Sequence, residues 1–334
     1  MGKPQVLFIG KIYHAHNAYN DLAADVEIIT SNASCRSEFI EECKSGKLDN
    51  VVAVFRTFVS VSITGLWDAE LVNALPQSIK FCCHNGAGYD QIDVAACSAR
   101  EPPLRVSNVP TAVDDSTADT AVFLLLGALR GFNYSMSTLR EGKWRGNPSA
   151  PMGHDPQGKV IGILGMGGIG RNMKKKTDAF GMTTIYHNRN KLSDELAGGA
   201  QYVSFDELLA QSDVISLNLP LNKHTHHIIS AEQFAKMKKG VIIINTARGA
   251  VMDEDALVQA LESGQVGSCG LDVFEEEPKV HPGLLANPSV MLLPHMGTHS
   301  IETYIKMETW ALDNVRQAIE YGTLKSPVTE QKDL

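Results

Sequence analysis

Short apolar runs alternate along the chain with longer stretches in which apolar residues recur at helical spacing. Val6-Leu7-Phe8-Ile9-Gly10, Val26-Glu27-Ile28-Ile29, Val51-Val52-Ala53-Val54-Phe55 and Ile79-Lys80-Phe81-Cys82-Cys83 are such runs, each followed by a helix-like stretch. Strand and helix in alternation predict a parallel sheet covered on both faces. A second series begins at Val160 and continues through Val214-Ile215-Ser216-Leu217, Val241-Ile242-Ile243-Ile244, Gly270-Leu271-Asp272-Val273 and Val290-Met291-Leu292-Leu293. Between the two series, Thr111 to Arg130 carries Ala121-Val122-Phe123-Leu124-Leu125-Leu126, too continuous for an exposed helix. It reads as a buried crossover helix, suited also to packing on another subunit. Ile301 to Tyr321 reads as a last helix returning to the first series.

At the head of the second series, Lys159-Val160-Ile161-Gly162-Ile163-Leu164 leads into Gly165-Met166-Gly167-Gly168-Ile169-Gly170. The first glycine of such a turn permits the bend, the second lets backbone approach a pyrophosphate, and the third lets helix and strand pack closely. The helix N-terminus then presents unpaired N–H groups to an anion. Glycine turns also merely join strands to helices. Here the turn follows a strand, opens a helical stretch from Arg171 to Phe180 and precedes Met182-Thr183-Thr184-Ile185-Tyr186-His187, the second strand of a βαβ unit. The expectation is an α/β protein of two Rossmann-like, doubly wound parallel-sheet domains. Residues 1-108 and 302-334 form a discontinuous substrate-binding domain, and 109-301 the dinucleotide-binding domain.

With 334 residues the chain is long enough for two cores. Its net charge of −8, with both signs interspersed, leaves no basic stripe for nucleic acid and no polybasic membrane patch. No apolar stretch approaches the ~20 residues needed to span a bilayer, and a cytoplasmic location is expected. The six cysteines (Cys35, Cys43, Cys82, Cys83, Cys97, Cys269) show no paired spacing and read as free buried thiols. His224, His226 and His227 cluster, but no neighbouring Cys or acid completes a ligand set, so no metal is expected.

Three polar residues fall just after strands of the second series, where open α/β sheets keep their ligands. They are Arg248, Glu277 and His295. Arginine offers a planar fork for a carboxylate or carbonyl oxygen, and a histidine beside a carboxylate is a proton donor whose charged form is favoured. With a nicotinamide they would form a complete set for reducing a 2-keto acid. Against this stands the plain alternative of a surface ion pair and a loop histidine.

The chain resembles the D-isomer-specific 2-hydroxyacid dehydrogenase family over nearly its whole length, in its glyoxylate/hydroxypyruvate reductase-like and D-mandelate dehydrogenase-like branches. The resemblance rests on Gly86-Ala87-Gly88-Tyr89-Asp90-Gln91-Ile92-Asp93, the glycine turn, Asn245-Thr246-Ala247-Arg248-Gly249-Ala250-Val251-Met252-Asp253, Gly270-Leu271-Asp272-Val273-Phe274-Glu275-Glu276-Glu277-Pro278 and Pro294-His295-Met296-Gly297-Thr298. It implies that Arg248 binds the substrate carboxylate and carbonyl, His295 exchanges the proton and Glu277 supports His295. It implies too that backbone N–H groups of Ala87 and Gly88 hold the carboxylate. Asp272 would contact the nicotinamide carboxamide, with turn capping as the alternative, and Thr246 and Gly297 would join the glycine turn in binding cofactor. An interdomain active-site cleft and a homodimer through the cofactor domain are further implications, with Trp144 as a dimer anchor or a reach into a neighbouring site.

One departure concerns the coenzyme. Where the NAD pattern ends its second strand in an acid, this chain has Asn188 followed by Arg189. Neutral Asn and cationic Arg suit a 2′-phosphate, so NADPH is the expected coenzyme, with NADH as the alternative. Formate and phosphite dehydrogenases share the architecture. Formate dehydrogenases typically have Gln in place of Glu277, which favours keto-acid chemistry here. A scaffold resembling the CtBP corepressors, with little turnover, is the rival of another class. Phe55, Phe58 and Tyr89 are candidates for a substrate side-chain pocket or for core packing; the sequence does not name the keto acid.

Overall fold

The computed structural model describes residues 2–146 and 148–334. The chain divides into two compact units, one running to Val113 and resuming at His299–Leu334, the other Asp114–Thr298. The sequence had placed these divisions at 108/109 and 301/302.

In the first unit, β1 (Gln5–Ile9), β2 (Glu27–Thr30), β3 (Val51–Thr57), β4 (Phe81–Asn85) and β5 (Arg105–Ser107) form one sheet in the order β2-β1-β3-β4-β5. All its pairs are parallel. Successive side chains point to opposite faces. Val6 and Phe8 therefore meet Ala311, Leu312 and Val315 of the helix Ile301–Tyr321, while Leu7 and Ile9 meet Phe39 and Trp67 on the other side. Burial on both faces is why the strands read as unbroken apolar runs.

The second unit contains β6 (Val160–Leu164), β7 (Thr183–His187), β8 (Gln201–Tyr202), β9 (Val214–Leu217), β10 (Val241–Asn245), β11 (Val266–Leu271) and β12 (Met291–Leu292), in the order β12-β11-β10-β9-β6-β7-β8. Its pairs are likewise parallel. Strand order reverses between β6 and β9, the switch point at which open sheets bind ligands. The apolar stretch forms the helix Asp114–Arg130, which packs on β10, β11 and the helix Gly168–Asp178. Ala121, Leu124 and Leu125 are buried, whereas Phe123 on the opposite face keeps 47% of its surface exposed.

The pattern located β11 four residues late, starting it at Gly270 rather than Val266, because small residues mask it. A Cβ on Gly270 would lie 2.7 Å from Leu124 Cβ, and one on Gly267 2.8 Å from the Gly240 carbonyl oxygen. Close approach of neighbouring backbone here requires glycine and erases the hydrophobic signal. The short strands β5 and β8 were not foreseen at all. Five cysteines are buried as expected, but Cys35 is exposed, since it stands ahead of the helix Arg36–Lys44 rather than inside the core. No helix among the described residues is long and apolar enough to cross a membrane.

Candidate active site

The glycine turn lies at the C-terminal end of β6, beside the switch point. Gly165 has φ 93°, a left-handed conformation suited to glycine, and a Cβ there would sit 2.7 Å from the Asn218 carbonyl oxygen at the end of β9. A Cβ on Gly170 would meet the Gly165 carbonyl oxygen at 2.7 Å, whereas one on Gly167 would meet nothing within 4 Å. Two glycines thus serve packing, and the third leaves an open cradle. No side chain caps the helix Gly168–Asp178, and no acid lies in its first turn, so its leading N–H groups suit a phosphate. Ile169 stands in that first turn, half-buried.

Asp114 is a carboxylate drawn close to this turn from elsewhere: a Cβ on Gly168 would fall 1.9 Å from its Oδ2. Burial raises the Asp114 carboxyl to about 6; Arg171 opposes the shift and Asp115 adds to it. A carboxyl raised in the folded state favours folding at low pH, and that contribution is lost as pH climbs from the ordinary carboxylate range through about 6. Asp114→Asn is therefore expected to raise Tm at pH 8 by roughly 2–4 °C, the shift that about 1 kcal/mol produces once solvent screening of a half-buried group is allowed for. At pH 3.5 the two melting curves should coincide; a gain equal at both values would disprove the electrostatic origin.

At the end of β7, Asn188 Oδ1 accepts the Met166 N–H at 2.7 Å, and the Asn188 carbonyl accepts the Tyr202 hydroxyl at 3.1 Å. The amide oxygen is committed to the glycine turn, so the end it presents outward is the NH2 donor. Arg189 follows it, exposed and with no carboxylate partner among the described residues. Two buried polar atoms at neighbouring strand ends, Thr246 Oγ1 after β10 and Asn218 Oδ1 after β9, have no hydrogen-bond partner among the described residues. Buried polar atoms are normally paired, so two orphans beside an open cradle fit a ligand of many polar groups. Sequence reasoning missed Asn218, although it follows its strand as Arg248 follows β10.

The acid–base cluster lies on the next loops. Asn245, the buried last residue of β10, donates to the Arg248 carbonyl at 2.9 Å and accepts the Ala247 N–H at 3.0 Å, which fixes the backbone carrying Arg248. His295 Nδ1 bonds Glu277 Oε2 at 2.9 Å, and Glu277 Oε1 accepts the Phe274 N–H at 3.0 Å. Burial pushes the Glu277 carboxyl up. The His295 bond and charge, the Phe274 N–H and the Arg248 charge outweigh it and hold the group below the usual range. Glu277 is accordingly anionic at neutral pH, where it favours a charged imidazole.

His295 has φ 58°, uncommon for a side-chain-bearing residue. Asp272, 1% exposed, imposes that conformation: its carbonyl accepts the His295 N–H at 2.8 Å, and its two carboxylate oxygens accept the N–H groups of Met296 at 2.6 Å and Gly297 at 2.7 Å. The Asp272 carboxyl is raised by burial against these N–H donors. The turn-capping alternative thus describes what Asp272 does within the protein. Gly297 is packed tightly, since a Cβ would lie 3.1 Å from Asp272 Oδ2.

In the first unit, the first three carbonyls of the loop after β4 are tied back. Gly86 accepts from the Val109 N–H at 2.9 Å, Ala87 from Asn108 Nδ2 at 2.7 Å, and Gly88 bonds His84 Nε2 at 3.0 Å. Tying back the carbonyls turns the N–H edges of Ala87 and Gly88 the other way, as anion binding by a loop requires. Phe55 is fully buried and stacks on Phe8 at 4.8 Å, so it belongs to the core and not to a substrate pocket. Tyr89 hydrogen-bonds Glu330 at 2.9 Å.

Trp144 is 74% exposed. One sequence expectation changes. Beside the histidine cluster the structure places an acid that the sequence did not reveal, Glu275, whose Oε1 bonds His227 Nε2. His226, His227 and Glu275 bring one donor atom each within 4.8 Å of one another.

The chain is similar to known proteins over nearly its whole length. Residues 122–297 match the model of the D-isomer specific 2-hydroxyacid dehydrogenase NAD binding domain. The chain is 52% identical over 331 residues to 4-methyl-2-oxopentanoate reductase A of Aspergillus oryzae, covering 99% of each chain. The solved structure of a glyoxylate reductase from Paecilomyes thermophila is similar with a TM-score of 0.96 and 54% identity, over 99% of this chain and 100% of that one. The holo form of D-mandelate dehydrogenase from Rhodotorula graminis follows at a TM-score of 0.92 and 32% identity, over 98% of both. The chain belongs to the D-isomer specific 2-hydroxyacid dehydrogenase family and is an NAD(P)-dependent oxidoreductase.

Proposed function

We propose that the chain reduces a 2-keto acid to the D-2-hydroxy acid, reversibly, with NADPH preferred over NADH. The observation that carries this reading is the His295–Glu277 hydrogen bond, with the Arg248 charge acting on the same carboxylate, at the strand ends of the dinucleotide-binding unit. When bound, the coenzyme supplies the hydride. His295 in its charged form donates a proton to the substrate's carbonyl oxygen, and Glu277, being ionised, stabilises that charged form. Arg248 presents a planar fork to carboxylate and carbonyl oxygens, and the N–H groups of Ala87 and Gly88 hold the carboxylate.

Gly165, Gly167, Gly168, Ile169 and Gly170 would receive the pyrophosphate, Asn188 and Arg189 the adenosine ribose and its phosphate, and Thr246, Asp272 and Gly297 the nicotinamide end. The enzyme is proposed to work in the cytoplasm as a homodimer. The exposed apolar side chains Phe123, Phe132, Met136, Leu139 and Trp144 on and just after the helix Asp114–Arg130 suit a second copy of the chain. The relatives described above are named for acids of different bulk, so glyoxylate, 4-methyl-2-oxopentanoate and the 2-keto acid that corresponds to mandelate make the test panel. NADPH absorbance should fall with at least one of them. NADPH binding without oxidation by any would favour a dinucleotide-sensing scaffold instead.

Arg248→Lys retains the charge but loses the paired planar donors. Both kcat and substrate affinity should fall, kcat/KM by on the order of 10–100-fold, the worth of one or two charge-assisted hydrogen bonds. Kinetics equal to the parent with every keto acid would place the carboxylate anchor elsewhere.

A further inference from the structure

Arg248 and Glu277 stand on different strand-end loops, after β10 and after β11. The two loops meet at Gly249, where a Cβ would fall 1.9 Å from the Phe274 carbonyl carbon and 2.2 Å from Glu275 N. Such a contact limits approach but not sliding.

Directional bonds cross it. Glu254, at the start of the helix Glu254–Glu262, accepts the Glu275 N–H at 2.7 Å, and Glu275 Oε2 accepts the Glu254 N–H at 3.4 Å. The other oxygen of Glu275 bonds His227 Nε2. His227 is itself fixed to the Arg248 loop, donating its N–H to the Ala250 carbonyl at 2.9 Å, while Ile229 donates to Val251 at 3.2 Å and accepts from Asp253 at 2.9 Å. His227 holds φ 49°, a conformation that a side-chain-bearing residue adopts at an energetic cost.

The arrangement also places two carboxylates side by side. Burial raises the Glu254 carboxyl, and the Glu275 and Asp255 charges add to the shift, against the Glu275 N–H and the His281 charge. From the tied turn, the Phe274 N–H runs on to Glu277 Oε1, and Glu277 Oε2 to His295.

We propose that Glu254, Glu275 and His227 form a positioning network that locks the Arg248 loop to the Glu277 turn and thereby aims Glu277 at His295. It touches no reactant, and it rests on the roles proposed above for Arg248, Glu277 and His295. His226 stacks on His227 at 4.0 Å, and the trio with Glu275 has donor types suited to a divalent transition ion. Both oxygens of Glu275 are, however, already engaged within the network, which accounts for the cluster without an ion.

The test is steady-state reduction across pH by the full-length enzyme. Glu254→Ala removes the acceptor for the Glu275 N–H. It should lower kcat about 10–100-fold, as slight misplacement of a catalytic group does, and leave the NADPH Kd unchanged. The alkaline limb of the reduction profile should move to lower pH, because a displaced Glu277 no longer meets His295 Nδ1 in its present geometry. Glu254→Gln keeps the carbonyl acceptor and should restore both readouts. His227→Asn suits a left-handed backbone but is too short to reach Glu275, and should repeat the loss even if Glu254→Ala fails to accumulate.

A lowered Tm with an unmoved pH limb in Glu254→Ala or His227→Asn would reduce the network to a structural role and overturn the proposal. So would inhibition of the parent by micromolar Zn2+ that His226→Ala abolishes, which would give the cluster to a metal. Failure of the underlying site assignment reads out separately, as unimpaired turnover in Arg248→Lys and in a His295 variant.

Discussion

Replacing His295 by alanine is expected to lower kcat for keto-acid reduction by on the order of 10²–10⁴, the worth of a positioned general acid, with NADPH affinity retained. The expectation follows from what the imidazole is given. Its Nδ1 is engaged by Glu277 at 2.9 Å, which fixes the way the ring faces. The carboxylate that orients it is ionised, so protonating the ring adds a favourable charge pair. Its backbone is pinned by Asp272 in a left-handed conformation, so the ring direction is set before any substrate arrives. That same conformation makes alanine a strained replacement, and His295→Asn, a residue more tolerant of left-handed backbone, is the companion variant. Both should lose turnover to a similar extent, and equal loss separates the missing proton donor from any loss of fold. Normal turnover in either would remove His295 from the mechanism.

How much of this was readable in the chain follows from the range over which each signal acts. The glycine turn, Arg248, Glu277 and His295 lie immediately after apolar strands, and a rule about strand ends needs only local pattern. The helix Ile301–Tyr321 was located in full because its apolar spacing and its Ser300 cap are both local. The start of β11 was misplaced because Gly267 and Gly270 answer to backbone and to Leu124, which are distant in sequence. Glu275 could not be assigned to the histidines at 226 and 227, since nearly fifty positions separate them and long-range pairing such as that of Ile229 with Met252 brings the segments together. Asp272 carried two readings in the sequence, and which donors meet its oxygens is a matter of the fold. The candidate side chains were thus visible as a local pattern, whereas the residues that the fold brings beside them were not.

Coenzyme choice yields the other large effect. The parent enzyme should prefer NADPH over NADH, and Asn188→Asp combined with Arg189→Ala should swing the preference toward NADH. The structure adds a reason to the composition of this loop. With Asn188 Oδ1 held by the Met166 N–H at 2.7 Å, the side chain turns a donor outward where an acid would offer an acceptor to ribose hydroxyls. A donor suits a phosphate oxygen, and the adjacent Arg189 adds a cation that no carboxylate among the described residues neutralises. Charge-assisted hydrogen bonds of this kind contribute ~1.5–3 kcal/mol each where partly desolvated, roughly one to two powers of ten in affinity. Aspartate at 188 can still accept the Met166 N–H, so the glycine turn should survive the change. It also brings a negative charge that repels the 2′-phosphate and accepts ribose hydroxyls. The decisive measurement is kcat/KM for both coenzymes with one good keto acid, in parent and double variant, with the ratio expected to change by on the order of 10²–10³. A parent that already prefers NADH would defeat the assignment of Asn188 and Arg189, and a variant with unaltered preference would place the phosphate site on other residues.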